Sequence, residues 1–597
     1  MGARTWHRRG LTAALAAVAA LAVGAVSAEP RISPFTTSEA PLPNRIYDLG
    51  VAYVDDDSDP DIFTSAHNNR QIVAIGDGSG GFDDRISDLD LDHVPAFPGL
   101  EAINNAPPLS APGLYVFYRP EGLRLLAHDV NASGTLLSRG FRKVEEAGGA
   151  NGSLRRLGGG DLPRSQVDFT APPGGQIDVR MTPLSLPVRL RLGGNEVFVG
   201  SQAVPTDKGS FAIQVRDRHG MGWADADSDG DTDVFIVRGG LAGRIKGHAN
   251  LVQDQLMRNV GARFEDVTAS SGVRKGRCRA RVSAPLDVDG DGRTDLSASC
   301  VGGPTRLFLR RGSEYVNASG ALKRAGARGA AIEWADIRGG ATPELLTFDD
   351  GGLRLFERRA DGSWARRQRL LGLPRGEMRS AATADIDRDG DADVMVSARD
   401  GLTLLRNRRG RLTAEPAATL GLPPVVDGPI AWIDHQNDGR LDLFAPPGGI
   451  YQGTAGGFTP TGILATGPVN QGRTVWMDVE GDGDRDGILT GRSGGDRVRS
   501  LYRNNLLLHH WLEVDVEGRG GARDAPGARV RVKSAGVVQT AWVGQSDSSR
   551  FSAGDARLYF GLADATSVDR LTVEWTDGAR RTLRNVPDNQ LLRVERP

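Results

Sequence analysis

Short apolar runs recur along most of the chain. VFIV (234–237), LSA (296–298), VMVS (394–397), LFA (443–445) and ILT (488–490) are examples. Each follows an acidic phrase, and each phrase follows another apolar or small-residue run, such as MGWA (221–224) or IAWI (430–433). A third run comes later and often ends in Arg-Asn or Arg-Arg: LMRN (256–259), LFLRR (307–311), LTLLRN (402–407), SLYRN (500–504). Runs this short, bounded by glycine turns and without helical spacing, predict strands.

The acidic phrase is itself a repeat. Asp225 opens DADSDGDTD, Asp287 opens DVDGDGRTD, Asp385 opens DIDRDGDAD, Asp434 opens DHQNDGRLD and Asp478 opens DVEGDGDRD. Two copies are eroded, YVDDDSDPD from Tyr53 and DIRGGATPE from Asp336. From Asp287 onward the openings fall at 287, 336, 385, 434 and 478. A unit of this size holding several short strands matches one four-stranded propeller blade. The expected fold is therefore all-β, a seven-bladed β-propeller with additions. The Ser-x-Asp-x-Gly-x-x-Trp phrase of Asp-box propellers is absent.

Residues 96–206 break the rhythm. They contain strand-like runs of their own, GLYVFYR, QIDVRMT and LPVRLRL among them. The expected organisation is a first blade region at 29–95, an inserted β-sandwich at 96–206, the remaining blades at 207–504 and a small β-domain at 505–597. An eighth blade lacking an acidic loop is the alternative for the insertion. In the C-terminal domain, Trp511, Trp542 and Trp575 are either core residues or a carbohydrate platform.

In Asp-x-Asp-x-Asp-Gly-x-x-Asp, alternate carboxylates crowd one side of a bend that glycine permits. Calcium takes six to eight oxygens at about 2.3–2.6 Å, and such a loop supplies most of them. The expected ligands are Asp225, Asp227, Asp229 and Asp233; Asp287, Asp289, Asp291 and Asp295; Asp385, Asp387, Asp389 and Asp393; Asp434, Gln436, Asp438 and Asp442; and Asp478, Glu480, Asp482 and Asp486. An EF-hand needs Glu at position twelve, where these loops carry Ile236, Ala298, Val396, Ala445 and Leu489. A plain hairpin turn needs one or two such residues, not four acids. The first eroded copy is expected to have lost two residues before Asp61, opening its ring of Asp55, Asp57, Asp59 and Asp61. In the fourth, Arg338 and Gly340 leave only Asp336 and Glu344, and Arg338 is expected to serve as the internal cation.

The loops resemble the FG-GAP or VCBS repeats of integrin-α-like propellers, and NVGARFEDVTASSGV (259–273) resembles the phrase that follows such blades. HHWLEVDV (509–516), GARVRVKSAG (527–536), LYFGL (558–562), VDRLTVEWTDG (568–578) and NVPDNQLLRV (585–594) together resemble an ASPIC/UnbV domain. The whole is similar to bacterial relatives of cartilage acidic protein. The resemblance implies a calcium-binding extracellular or periplasmic propeller and no settled activity.

Composition narrows the function. At 597 residues and net charge −2, the chain shows no basic footprint for nucleic acid. Residues 1–28 combine Arg4, Arg8 and Arg9, an apolar run and Val26-Ser27-Ala28, which predicts a cleaved signal peptide and no membrane anchor in the mature chain. Export to an oxidising compartment predicts a Cys278–Cys300 disulfide, with two buried free thiols as the alternative. The nine histidines form no hydrolase or metalloprotease motif. The expected function is a monomeric, non-catalytic scaffold binding a protein or glycan. A calcium-dependent polysaccharide lyase is the alternative.

Overall fold

The computed structural model describes residues 35–597, apart from 66–70, 92–99, 103–112, 147–152, 158–163, 200–210, 239–253, 274–279, 371–377, 466–472, 545–554 and some shorter stretches. The leader at 1–28 and Cys278 lie outside the described residues. The fold is all-β, with one α-helix of seven residues, Ser319–Ala325, among the described residues. No helix there is long and apolar enough to cross a membrane.

Strands pair with their sequence neighbours into small antiparallel sheets. The first sheet is Asp48–Ala52, Asp61–Ser65, Val73–Gly76 and Phe82–Asp84. The second runs from Arg218–Ala224 to Phe264–Asp266, and the third from Ala280–Leu286 to Glu314–Asn317 with Arg328–Gly329 as a fifth strand. The fourth, fifth and sixth begin at Ala331–Ala335, Met378–Ala384 and Ala431–Ile433. The seventh has three consecutive strands, Arg473–Met477, Asp486–Ser493 and Asp496–Arg503. Its fourth comes from the other end of the chain, where Thr36–Glu39 pairs antiparallel with Arg503–Ser500.

The first strand of each sheet lies against the first strand of the next, and the seventh's lies against the first's, so the sheets close a ring. Apolar clusters cement the joints. Leu49, Ile62 and Ala74 pack with Val475, Met477 and Leu501 between the first and seventh sheets. Phe63 and Val73 meet Met221 and Ile236 between the first and second. Ile433 and Phe444 meet Trp476 between the sixth and seventh. This is a propeller-like arrangement, in which sheets stack face to face around an axis.

In a four-stranded meander the hairpins joining strands one to two and three to four share one face of the ring. Connections from strand two to three, and from one sheet to the next, share the other. The acidic loops are all one-to-two hairpins, so they lie together on one face. The insertion leaves from a sheet-to-sheet connection, on the opposite face.

The insertion is all strand, but it does not divide into two separate sheets. Ten strands, from Leu100–Ala102 to Phe211–Ile213, form one connected sheet. The fifteen-residue strand Ala132–Glu146 pairs with Arg164–Ala171 and Val188–Leu192 along one half and with Gln176–Pro183 along the other. A strand this long belongs to two neighbourhoods at once, which the sequence periodicity does not reveal. The C-terminal domain packs a three-stranded sheet on a four-stranded one around Leu512, Val514, Val530, Val532, Phe560, Leu571 and Val573.

Candidate metal centres beneath the C-terminal domain

Each acidic loop starts one residue after its sheet's first strand, and its ninth residue opens the second strand. The glycine at position six donates its amide to the carboxylate at position one: Gly230 to Asp225, Gly292 to Asp287, Gly390 to Asp385, Gly439 to Asp434 and Gly483 to Asp478, at 2.6–3.0 Å. These glycines have φ between 79° and 103°, the left-handed region that a side chain disfavours. Position five accepts the amide two residues on, as in Asp229, Asp291, Asp389, Asp438 and Asp482.

The ninth-position acids are buried anchors. Asp233 accepts the amides of Ala226 and Asn259 at 2.9 and 2.8 Å. Asp295 accepts those of Val288 and Arg310 at 3.0 and 2.7 Å. Asp486 repeats this with Val479 and Asn504. Each carboxylate thus ties its loop to the third strand, leaving one lone pair per oxygen for an ion.

Three loops gather their acids closely. Ligand atoms of Asp225, Asp227 and Asp229, of Asp287, Asp289 and Asp291, and of Asp385, Asp387 and Asp389 lie within 4.8 Å of one another. Each group holds a buried carboxylate oxygen with no hydrogen-bond partner, namely Asp227 Oδ1, Asp289 Oδ1 and Asp385 Oδ1. Burial pushes Asp227 and Asp287 up to about 6 and Asp385 up to about 7, with neighbouring aspartates adding repulsion. An unpartnered buried carboxylate oxygen costs stability, so these donors fit a hard cation such as calcium. Arginines at the ends of the third strands supply part of the charge: Arg406 lies 3.1 Å from Asp387, and Arg311 pairs with Asp289 and Asp291.

The other loops are not gathered to that degree among the described residues. In the sixth, the Gln436 amide donates to Asp438, and the His435 ring pairs with Asp442 at 2.5 Å. Asp434 is buried and pushed well up by burial and by Asp442. In the seventh, Glu480 Oε2 is buried without a partner.

Both eroded loops differ from expectation. The first has lost no residues. Asp61 opens the second strand and accepts the Val54 amide at 2.6 Å, as Asp233, Asp295, Glu344, Asp442 and Asp486 do with the amide at position two. Tyr53 therefore occupies the first position, and Asp55, Asp57 and Asp59 the third, fifth and seventh. Arg338 is not the internal cation of the fourth loop. It is half-exposed and pairs with Glu357, while Asp336 is held by Arg529 at 3.3 Å and by the Trp542 indole at 3.2 Å. The replacing cation comes from another domain, and no local spacing announces it.

Arg529 is one part of a wider contact, since the C-terminal domain covers the loop face. Arg523 donates to the carbonyls of Asp55 and Asp57 in loop one, and its own amide to Asp225 in loop two. Thr576 donates to Asp287, and Arg519 to the Asp291 carbonyl, in loop three. Thr540 stands beside Asp385 in loop five. The Ala563 amide reaches Asn437 of loop six at 2.9 Å, and Trp511 lies on Gly483 of loop seven. Trp542 and Trp575 are buried and hydrogen-bonded, which makes them core residues.

The Arg-Asn endings also find a role that the sequence did not disclose. Asn259, Asn407 and Asn504 donate their side-chain amides to the carbonyls of Val54, Ile337 and His435. Each carbonyl sits at position two of the preceding sheet's loop, so the asparagine latches neighbouring sheets together.

Residues 518–597 match the ASPIC and UnbV family, and residues 341–396 and 385–445 match the FG-GAP-like repeat. Human cartilage acidic protein 1 is 24% identical over 439 residues; the match spans 65% of this chain and 65% of that protein's length. Among solved structures, an Agrocybe aegerita lectin recognising non-reducing terminal N-acetylglucosamine is 16% identical with a TM-score of 0.34, over 64% of this chain and 92% of its own. The Bacillus licheniformis rhamnogalacturonan lyase is 12% identical with a TM-score of 0.29, over 81% and 90%. Likenesses this distant do not bear on fold or ligand. The chain carries FG-GAP-like repeats and a C-terminal ASPIC and UnbV domain, and it is similar to cartilage acidic protein 1.

Proposed function

We propose that this protein is an exported, calcium-stabilised, seven-bladed propeller that serves as a non-catalytic scaffold for a protein or glycan partner. The observation that carries the calcium reading is the set of three carboxylate clusters, each with a buried, unpartnered oxygen. Seven meander sheets, the last completed by Thr36–Glu39, support the blade count. The C-terminal domain occupies the loop face, so the opposite face and the inserted sheet are the surface left for a partner. Residues 1–28 are read as the leader. Cys300, in register with Ala280 two residues beyond Cys278, is read as one half of a disulfide.

Calorimetry tests the metal. Calcium that binds only the folded chain adds about 2.7 kcal/mol per site at a hundredfold excess over Kd. Chelation should therefore lower the melting temperature, and an unchanged curve overturns the calcium reading. A panel of polysaccharides tests the scaffold reading separately. Binding without release of unsaturated ends is expected, and such ends would establish a lyase instead.

A further inference from the structure

The strand His510–Val516 of the C-terminal domain runs over the seventh loop. Alternate side chains of a strand share a face, so Trp511 and Glu513 point the same way. Both meet the loop. A Cβ on Gly483 would fall 2.0–2.2 Å from indole atoms of Trp511. The carboxyl of Glu513 lies against that of Asp478, the loop's first position.

Glu513 is only 3% exposed. Its Oε2 receives Arg557 Nη1 at 3.3 Å, but its Oε1 is buried without a hydrogen-bond partner. Two oxygens of the loop itself are in the same state, Glu480 Oε2 and Asp484 Oδ2. Arg557 cannot neutralise them all. Its guanidinium is already shared among Glu513, Asp515 and the carbonyl of Ser58. Two carboxylates held together out of water require a proton or a cation between them. The loop's remaining donors, Asp482 and Asp486 among them, are all oxygens, which suits a hard divalent ion.

We propose that Glu513 is a ligand of the cation held by the seventh loop, so that this one site is assembled from two domains. The proposal rests on the calcium reading and adds to it a ligand from outside the repeat. Because the ligand belongs to the C-terminal domain, the ion also fastens that domain to the ring. Carboxylates of the C-terminal domain also reach the first and third loops, but there Asp555 accepts the Tyr53 hydroxyl and Asp577 pairs with Arg596. Arginine arrives at the first and fourth, and threonine at the third and fifth.

Terbium luminescence and calcium calorimetry on the full chain test this with the wild type, Glu513→Gln and Asp478→Asn. Glu513→Gln should lose one site, or weaken it by about tenfold or more, and leave the others unchanged. Asp478→Asn should affect the same site. An unaltered titration in folded Glu513→Gln overturns the proposal and leaves a proton shared between Glu513 and Asp478. A wild type that binds neither ion overturns the calcium reading instead. If Glu513→Gln does not fold, terbium-soaked wild-type crystals decide. An anomalous peak bonded to both Asp478 and Glu513 supports the proposal, and a peak confined to the loop refutes it.

Discussion

Residues five and nine of one acidic loop do different physical work. Asp295 holds two buried backbone amides, from Val288 and Arg310. Asp291 is more exposed, faces Arg311 and contributes one carboxylate to the cluster. Asp295→Ala strands two donors, each costing about 1–3 kcal/mol, and should destabilise the protein with or without calcium. Asp291→Asn keeps the turn's acceptor and removes only charge. It should leave the chelated protein nearly as stable as wild type while reducing the gain on adding calcium. Melting curves of both variants, with calcium and with chelator, check the pair; similar behaviour would remove the distinction.

Among elements, the latch is the least expected feature. Asn407 donates to Ile337 of the fourth loop at 2.7 Å and to Ala392 of its own at 3.1 Å. Asn407→Leu leaves both carbonyls buried without that donor. We expect a loss of about 1–3 kcal/mol in urea unfolding, equal with and without calcium, because the bond joins sheets and not ligands. The strands and acidic loops were legible because their chemistry is written within nine consecutive residues. The latch was not, because Asn407 and Ile337 are seventy residues apart. Ring closure by Thr36–Glu39 was hidden for the same reason, since Thr36 pairs with Arg503 across nearly the whole chain. The first loop shows the converse error. Its phrase looked shortened until the pairing of Ala52 with Asp61 fixed the register and put Tyr53 in the aspartate's place.

For the whole molecule, calcium and protons compete for the same buried carboxylates, and the sign can be worked out. Burial raises Asp227 and Asp287 to about 6 and Asp385 to about 7 in the metal-free fold, against an ordinary aspartate value of about 3.9. A carboxyl with a raised folded pKa contributes stability that is complete below its unfolded pKa and is lost as pH climbs through the folded value. The chelated protein should therefore melt progressively lower from pH 5 to pH 8. Calcium needs the ionised form, so its affinity rises over the same window as protons leave. The difference in melting temperature between calcium-loaded and chelated protein should accordingly widen from pH 5 to pH 8. The C-terminal domain meets this equilibrium directly, because Thr576 and Arg523 donate to Asp287 and Asp225. Chelation at pH 8 leaves those aspartates charged, crowded and without an ion. Cleavage by protease in the connection at the exposed Leu508 should then be fastest, slower at pH 5 with chelator, and slowest with calcium at either pH. Equal cleavage under all four conditions would mean that docking of the domain is independent of the charge on the loops beneath it.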